Sequence, residues 1–194
     1  MTKLFLAMLL AGATPLTAHD LARSESRLDV HGSEIQCSLI VDLLEFPGVD
    51  GDGNGRIGYD ELDRSIASVF ASVKEHLIVR GPSEPSTIVM TRHELLDEHT
   101  IRMELAYSFP ASVSRLEVTS TFDQMARRPD HQHVVTALMS GTRHDAVLDA
   151  SNRTVMFEDR FWTRTSFRLT LAAVLILGIR VAVFFYRRQK PRRT

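Results

Sequence analysis

Residues 101–108, Ile101-Arg102-Met103-Glu104-Leu105-Ala106-Tyr107-Ser108, place a large apolar side chain at every second position. Successive side chains of a strand point to opposite faces, so this is a β-strand with one face in a core. The same period extends in both directions. Leu28 and Val30 lie on one side of a short strand, and His31-Gly32 signals a turn. Ile35, Cys37, Leu39 and Val41 then alternate with Glu34, Gln36 and Ser38, which predicts a β-hairpin. Thr87–Leu96 is rich in apolar and β-branched residues. Val113–Phe122, His131–Met139, His144–Ala150 and Arg153–Phe157 read as further strands between polar or glycine-containing turns. One segment departs from the strand period. Leu62, Ile66, Val69, Phe70, Val73 and Leu77 recur at helical spacing and predict an amphipathic helix over Tyr59–Leu77, with Gly81-Pro82 and Pro85 in the loop beyond. The expected fold is therefore mainly β, of the α+β kind: an antiparallel β-sandwich with one amphipathic helix, over residues 19–160.

Two apolar segments flank this domain. Residues 1–18 carry Lys3, the apolar run Leu4–Ala13 and a small-residue end at Leu16-Thr17-Ala18, the three parts of a secretory signal. Cleavage is expected after Ala18, with Ala13 as the alternative site. The second segment, Leu169–Tyr186, is 18 residues long, within the range of about 17–25 that spans a bilayer. Its one charge, Arg180, lies seven residues before Arg187 and can extend its side chain toward that interface. Phe161, Trp162 and Phe167 precede the segment as an interfacial belt would. A transmembrane helix over 167–186 follows. The tail 187–194 holds five basic residues and no acid, which places it in the cytoplasm and the domain outside.

Charge supports that division. The formal net charge is −1, but all 24 Asp and Glu lie between His19 and Ser166, beside only 15 of the 23 Lys and Arg. An acidic body argues against nucleic acid as a partner and suits a domain that meets cations. One cysteine, Cys37, excludes an intramolecular disulfide. It reads as a small apolar residue in a strand.

The cation has a candidate seat. Asp50-Gly-Asp-Gly-Asn-Gly-Arg-Ile-Gly-Tyr-Asp-Glu61 matches the twelve-residue calcium loop of the EF-hand. Asp50, Asp52 and Asn54 supply side-chain oxygens at loop positions 1, 3 and 5. Gly55 allows the sharp turn at position 6, Arg56 offers its carbonyl at position 7, and Glu61 closes the sphere at position 12. Gly58 leaves position 9 to a water. No incoming helix precedes the loop, and no second hand is present to pair with Ile57 at position 8. A lone, glycine-rich hand costs more ordering entropy, so Ca2+ affinity is expected near 10⁻⁴–10⁻³ M, about that of extracellular modules. Such a loop is a structural clip rather than a switch.

His131 and His133 form an H-x-H pair. On a strand both imidazoles share a side, and they could hold nickel or copper; the plainer reading is two surface histidines at a strand start. His19 becomes a second copper or nickel candidate if cleavage follows Ala18. Catalytic signatures are missing: there is no G-x-S-x-G, phosphate-binding glycine loop or H-E-x-x-H. The chain is therefore not expected to be an enzyme.

The order of these features resembles a known family. An export signal ending near Ala18-His19 is followed by a hairpin, a DGDGNG loop, a helix and the run Phe122-Asp123…Arg128-Pro129-Asp130-His131-Gln132-His133. This is similar to the extracytoplasmic N-terminal region of HupE/UreJ-type bacterial membrane proteins, over about residues 18–158. The resemblance implies an extracytoplasmic location and metal-related business for the β domain. That family continues into a multi-helix membrane domain with intramembrane His and Asp residues. The single apolar segment here, with Arg180 as its charge, departs from that pattern, so permease activity does not follow.

Overall fold

The computed structural model describes residues 22–159. The expected signal at 1–18, His19, the apolar segment 167–186 and the tail 187–194 lie outside the described residues. Among the described residues, no helix is long and apolar enough to cross a membrane.

The chain is mainly β, with two sheets and one long helix. In chain order the elements are β1 (Arg23–His31), β2 (Glu34–Asp42), α1 (Tyr59–His76), β3 (Leu77–Arg80), β4 (Thr87–Leu95) and β5 (Thr100–Ser108). They continue with β6 (Arg115–Ser120), a single helical turn α2 (Phe122–Met125), β7 (Gln132–Met139), β8 (Thr142–Leu148) and β9 (Thr154–Glu158). One sheet has six strands in the order β4-β5-β2-β1-β7-β8; the other has three, β3-β6-β9.

Turn chemistry sets the hairpins. Gly32 at φ 63° opens the two-residue β1–β2 turn, and Ser140 and Gly141, at φ 48° and 76°, make the β7–β8 turn. Positive φ at such positions matches the twist of the flanking strands. Alternation then decides which face is buried. Leu28, Cys37, Leu39, Met103, Leu105, Val135 and Ala137 are all at most 1% exposed. They join Leu116 and Val118 of β6, Val79, Phe157 and the α1 residues Leu62, Val69 and Val73 in one hydrophobic cluster. Each such large side chain contributes about 1.5–3 kcal/mol on burial.

Three expectations change. The large sheet is not wholly antiparallel: β1 and β7 run parallel, from Arg23↔Gln132 to Val30↔Met139. Alternation specifies the buried face of a strand but not its neighbour or direction, and a parallel neighbour needs a long crossover. Here the chain runs through β2, α1, β3, β4, β5, β6 and α2 before it returns as β7. Second, α1 ends at His76, and Leu77 starts β3 without a loop, because Leu-Ile-Val continues the apolar run past the helical stripe. Third, β1 begins five residues before Leu28, with Ser24 and Ser26 on its buried side. An all-polar stretch, Arg23–Arg27, hid that strand from a hydrophobic pattern.

Candidate metal centre

The segment leading into the loop is β2 followed by one turn of 3-10 helix, Leu43–Glu45, so the absence of an incoming α-helix stands. Asp42 starts that turn by accepting the Leu44 N–H at 2.9 Å. Phe46 and Val49 before the loop, Ile57 inside it and Leu62 after it are each at most 4% exposed and belong to the core. Four apolar anchors therefore pin an otherwise exposed loop.

Within the loop, polar side chains turn inward because the backbone amides hold them there. Asp50 Oδ1 accepts from the N–H of Gly53 at 2.7 Å and of Asn54 at 3.2 Å, and its Oδ2 from that of Gly55 at 2.9 Å. Asp52 Oδ1 accepts from Asn54 N–H at 3.1 Å, and Asn54 Oδ1 from Arg56 N–H at 2.7 Å. Gly53 and Gly55 sit at φ 72° and 76°, a conformation that costs residues with a Cβ. Glu61, in the first turn of α1, reaches back: Oε1 accepts from Gly51 N–H at 2.9 Å and Oε2 from Gly58 N–H at 3.0 Å.

One carboxylate oxygen from each of Asp50, Asp52 and Glu61 lies within 4.8 Å of the others. Calcium–oxygen bonds are about 2.3–2.6 Å, so ligands across one ion stand about 5 Å apart and this spacing fits a shared ion. Hydrogen bonds from Gly55, and then Gly53 and Asn54, hold the Asp50 carboxyl below the usual carboxylate range. Gly58 and Gly51 do the same for Glu61. Both stay ionised near neutral pH, with lone pairs left for a cation. The Asn54 side-chain amide donates from Nδ2 to Asp52 Oδ2 at 2.8 Å. The Arg56 guanidinium turns away to Glu98 Oε2 at 3.1 Å, which leaves its carbonyl as the group that position 7 would use.

The histidine pair is arranged otherwise than expected. His131 and His133 do share a side, both near the Phe122 ring, at centroid distances of 6.0 and 5.2 Å. Neither is at the surface, since each is 1% exposed. Their position beside β1, across the parallel pairing, buries them. Both nitrogens of His131 are engaged, Nε2 with Ser24 Oγ at 3.0 Å and Nδ1 with Glu45 Oε1 at 3.1 Å. Neither nitrogen of His133 has a hydrogen-bond partner among the described residues. Burial foremost, and His131 second, push its pKa down to about 3. Among the described residues, the group of three or more His, Cys, Asp or Glu residues close enough for one metal is Asp50, Asp52 and Glu61, without either histidine. The chain Ser24–His131–Glu45 has the order of a nucleophilic triad, but Ser24 is 0% exposed and no substrate can reach its hydroxyl. The chain ties β1 to the segment before the calcium-type loop.

Cys37 is buried in β2, as expected, and burial raises its pKa to about 12, so the thiol stays protonated. What the sequence did not disclose is the partner of Ile57. Its N–H donates to the Glu98 carbonyl, in the turn between β4 and β5, at 2.6 Å. The polar run Asp97-Glu98-His99 marks a turn in the sequence, but nothing local places that turn against the loop. Neither a protein-family model nor a curated protein matches the chain.

Proposed function

We propose that the chain is a calcium-binding, membrane-anchored extracytoplasmic module, in which the loop Asp50–Glu61 clips a β domain together. The observation that carries this reading is the convergence of Asp50, Asp52 and Glu61 oxygens within 4.8 Å. The loop joins the six-stranded sheet, through β2, to α1, so an ion there would tie two parts of the core. The ligands are Asp50, Asp52 and Asn54 through side chains, Arg56 through its carbonyl, and Glu61 through its carboxylate. The anchor is the apolar segment 167–186, with the tail 187–194 in the cytoplasm. The module binds rather than catalyses.

Calorimetry of the full chain, purified in detergent, tests the reading. Calcium binds wild type with a Kd of about 10⁻⁴–10⁻³ M, and both Glu61→Gln and Asp50→Ala abolish the heat. Unchanged binding in those two variants would overturn the assignment. The alternative, a nickel or copper accessory role through His131 and His133 or His19, has one observation in its favour: the unpartnered ring nitrogens of His133. Nickel titration against a His131→Ala/His133→Ala variant separates the two readings.

A further inference from the structure

We infer that the turn between β4 and β5 takes the place of a partner hand and sets the affinity of the loop; this rests on the calcium reading above. A peptide group is planar and trans, so its N–H and C=O point in opposite directions. The N–H of Ile57 donates to the Glu98 carbonyl at 2.6 Å. The Arg56 carbonyl, in the same peptide group, therefore faces away from the hairpin. It is the group that position 7 contributes to the ion. The Glu98 carbonyl aims that ligand without touching the ion.

The turn is stiff enough to do this. Asp97 Oδ1 accepts the N–H of His99 at 3.0 Å and of Thr100 at 2.7 Å. It also holds the chain upstream of the loop: Leu43 N–H donates to the His99 carbonyl at 2.7 Å, and His99 Nδ1 lies 3.1 Å from Asp42 Oδ1. Residues on both sides of Asp50–Gly55 are thus tethered to one three-residue turn. The Arg56–Glu98 ion pair adds little, because its side chains are 69% and 60% exposed. The backbone bonds do the positioning. A lone glycine-rich loop must be ordered when it binds, and fixing positions 7 and 8 beforehand removes part of that cost. Asp97 and the Glu98 carbonyl are positioning groups in this sense.

The test measures calcium affinity of the full chain by calorimetry, together with amide hydrogen exchange. Asp97→Ala removes both side-chain bonds of the turn and weakens calcium binding about tenfold. Asp97→Asn, which keeps the acceptor oxygen, restores the wild-type Kd. Thr91→Ala removes a bond in the same hairpin away from the turn, from its hydroxyl to the Glu104 carbonyl at 3.1 Å, and leaves the Kd unchanged. In wild type, calcium slows exchange at the Thr100 amide as well as at Ile57; this measurement needs no variant. An unaltered Kd in Asp97→Ala, an equal loss in Thr91→Ala, or exchange at Thr100 that ignores calcium would each overturn the inference. If wild type and Glu61→Gln behave alike toward calcium, the site assignment itself fails and this inference falls with it.

Discussion

His133 offers a direct test of the packing between β1 and β7. It is 1% exposed, lies 5.2 Å from the Phe122 ring and has a pKa lowered from 6.5 to about 3. The titratable group that acts on it is His131, itself paired with Glu45. In the unfolded chain the imidazole takes up a proton below about pH 6.5, whereas in the folded chain it does so only near pH 3. Its contribution to stability is therefore whole above pH 6.5 and is lost as pH falls through the interval down to about 3. At about 1.4 kcal/mol per unit of pKa, the loss is roughly 2 kcal/mol by pH 5. The assay is urea denaturation at pH 7, 6, 5 and 4, followed by circular dichroism with a calcium chelator present. His133→Leu is the comparison, since leucine has a similar volume, does not titrate and carries no unpaired nitrogen. At pH 7 the variant is at least as stable as wild type. Its advantage grows by about 2 kcal/mol between pH 7 and 5. Acid effects from carboxylates elsewhere are common to both proteins and cancel. Parallel curves would show that His133 is hydrated or hydrogen-bonded in the folded protein, and would refute the reasoning.

Other expectations concern the loop and the thiol. Because Asp50 and Glu61 titrate below the usual carboxylate range, calcium affinity stays level from pH 7 to pH 5 and falls only as those carboxyls protonate. Terbium luminescence across that range checks it, and a decline already at pH 6 would contradict it. Gly55→Ala, at φ 76°, costs about 1 kcal/mol in the absence of calcium and weakens binding further, as thermal melts with and without the ion would show. Cys37, with its pKa near 12, resists a thiol reagent at pH 8 in the native protein and reacts at the rate of unfolding in urea. Rapid native labelling would mean that β2 opens to solvent.

The local features of this protein are legible in its amino-acid order. The alternation in Ile101–Tyr107, the glycine at position 32 and the helical spacing from Leu62 to Val73 each depend on a few neighbouring residues. So does the loop, whose Asp50, Asp52, Asn54 and Glu61 gather through bonds to amides no more than ten residues away. The tertiary structure decided what meets across the chain. It set β1 parallel to β7, so that Ser24 pairs in register with His133 and two histidines that read as surface residues became buried. It also brought the Asp97–His99 turn to Ile57, a contact that no motif announces. Period and turn chemistry act over a few residues, whereas the choice of neighbouring strand depends on which apolar faces cover one another, and many orders of strands satisfy the same alternation.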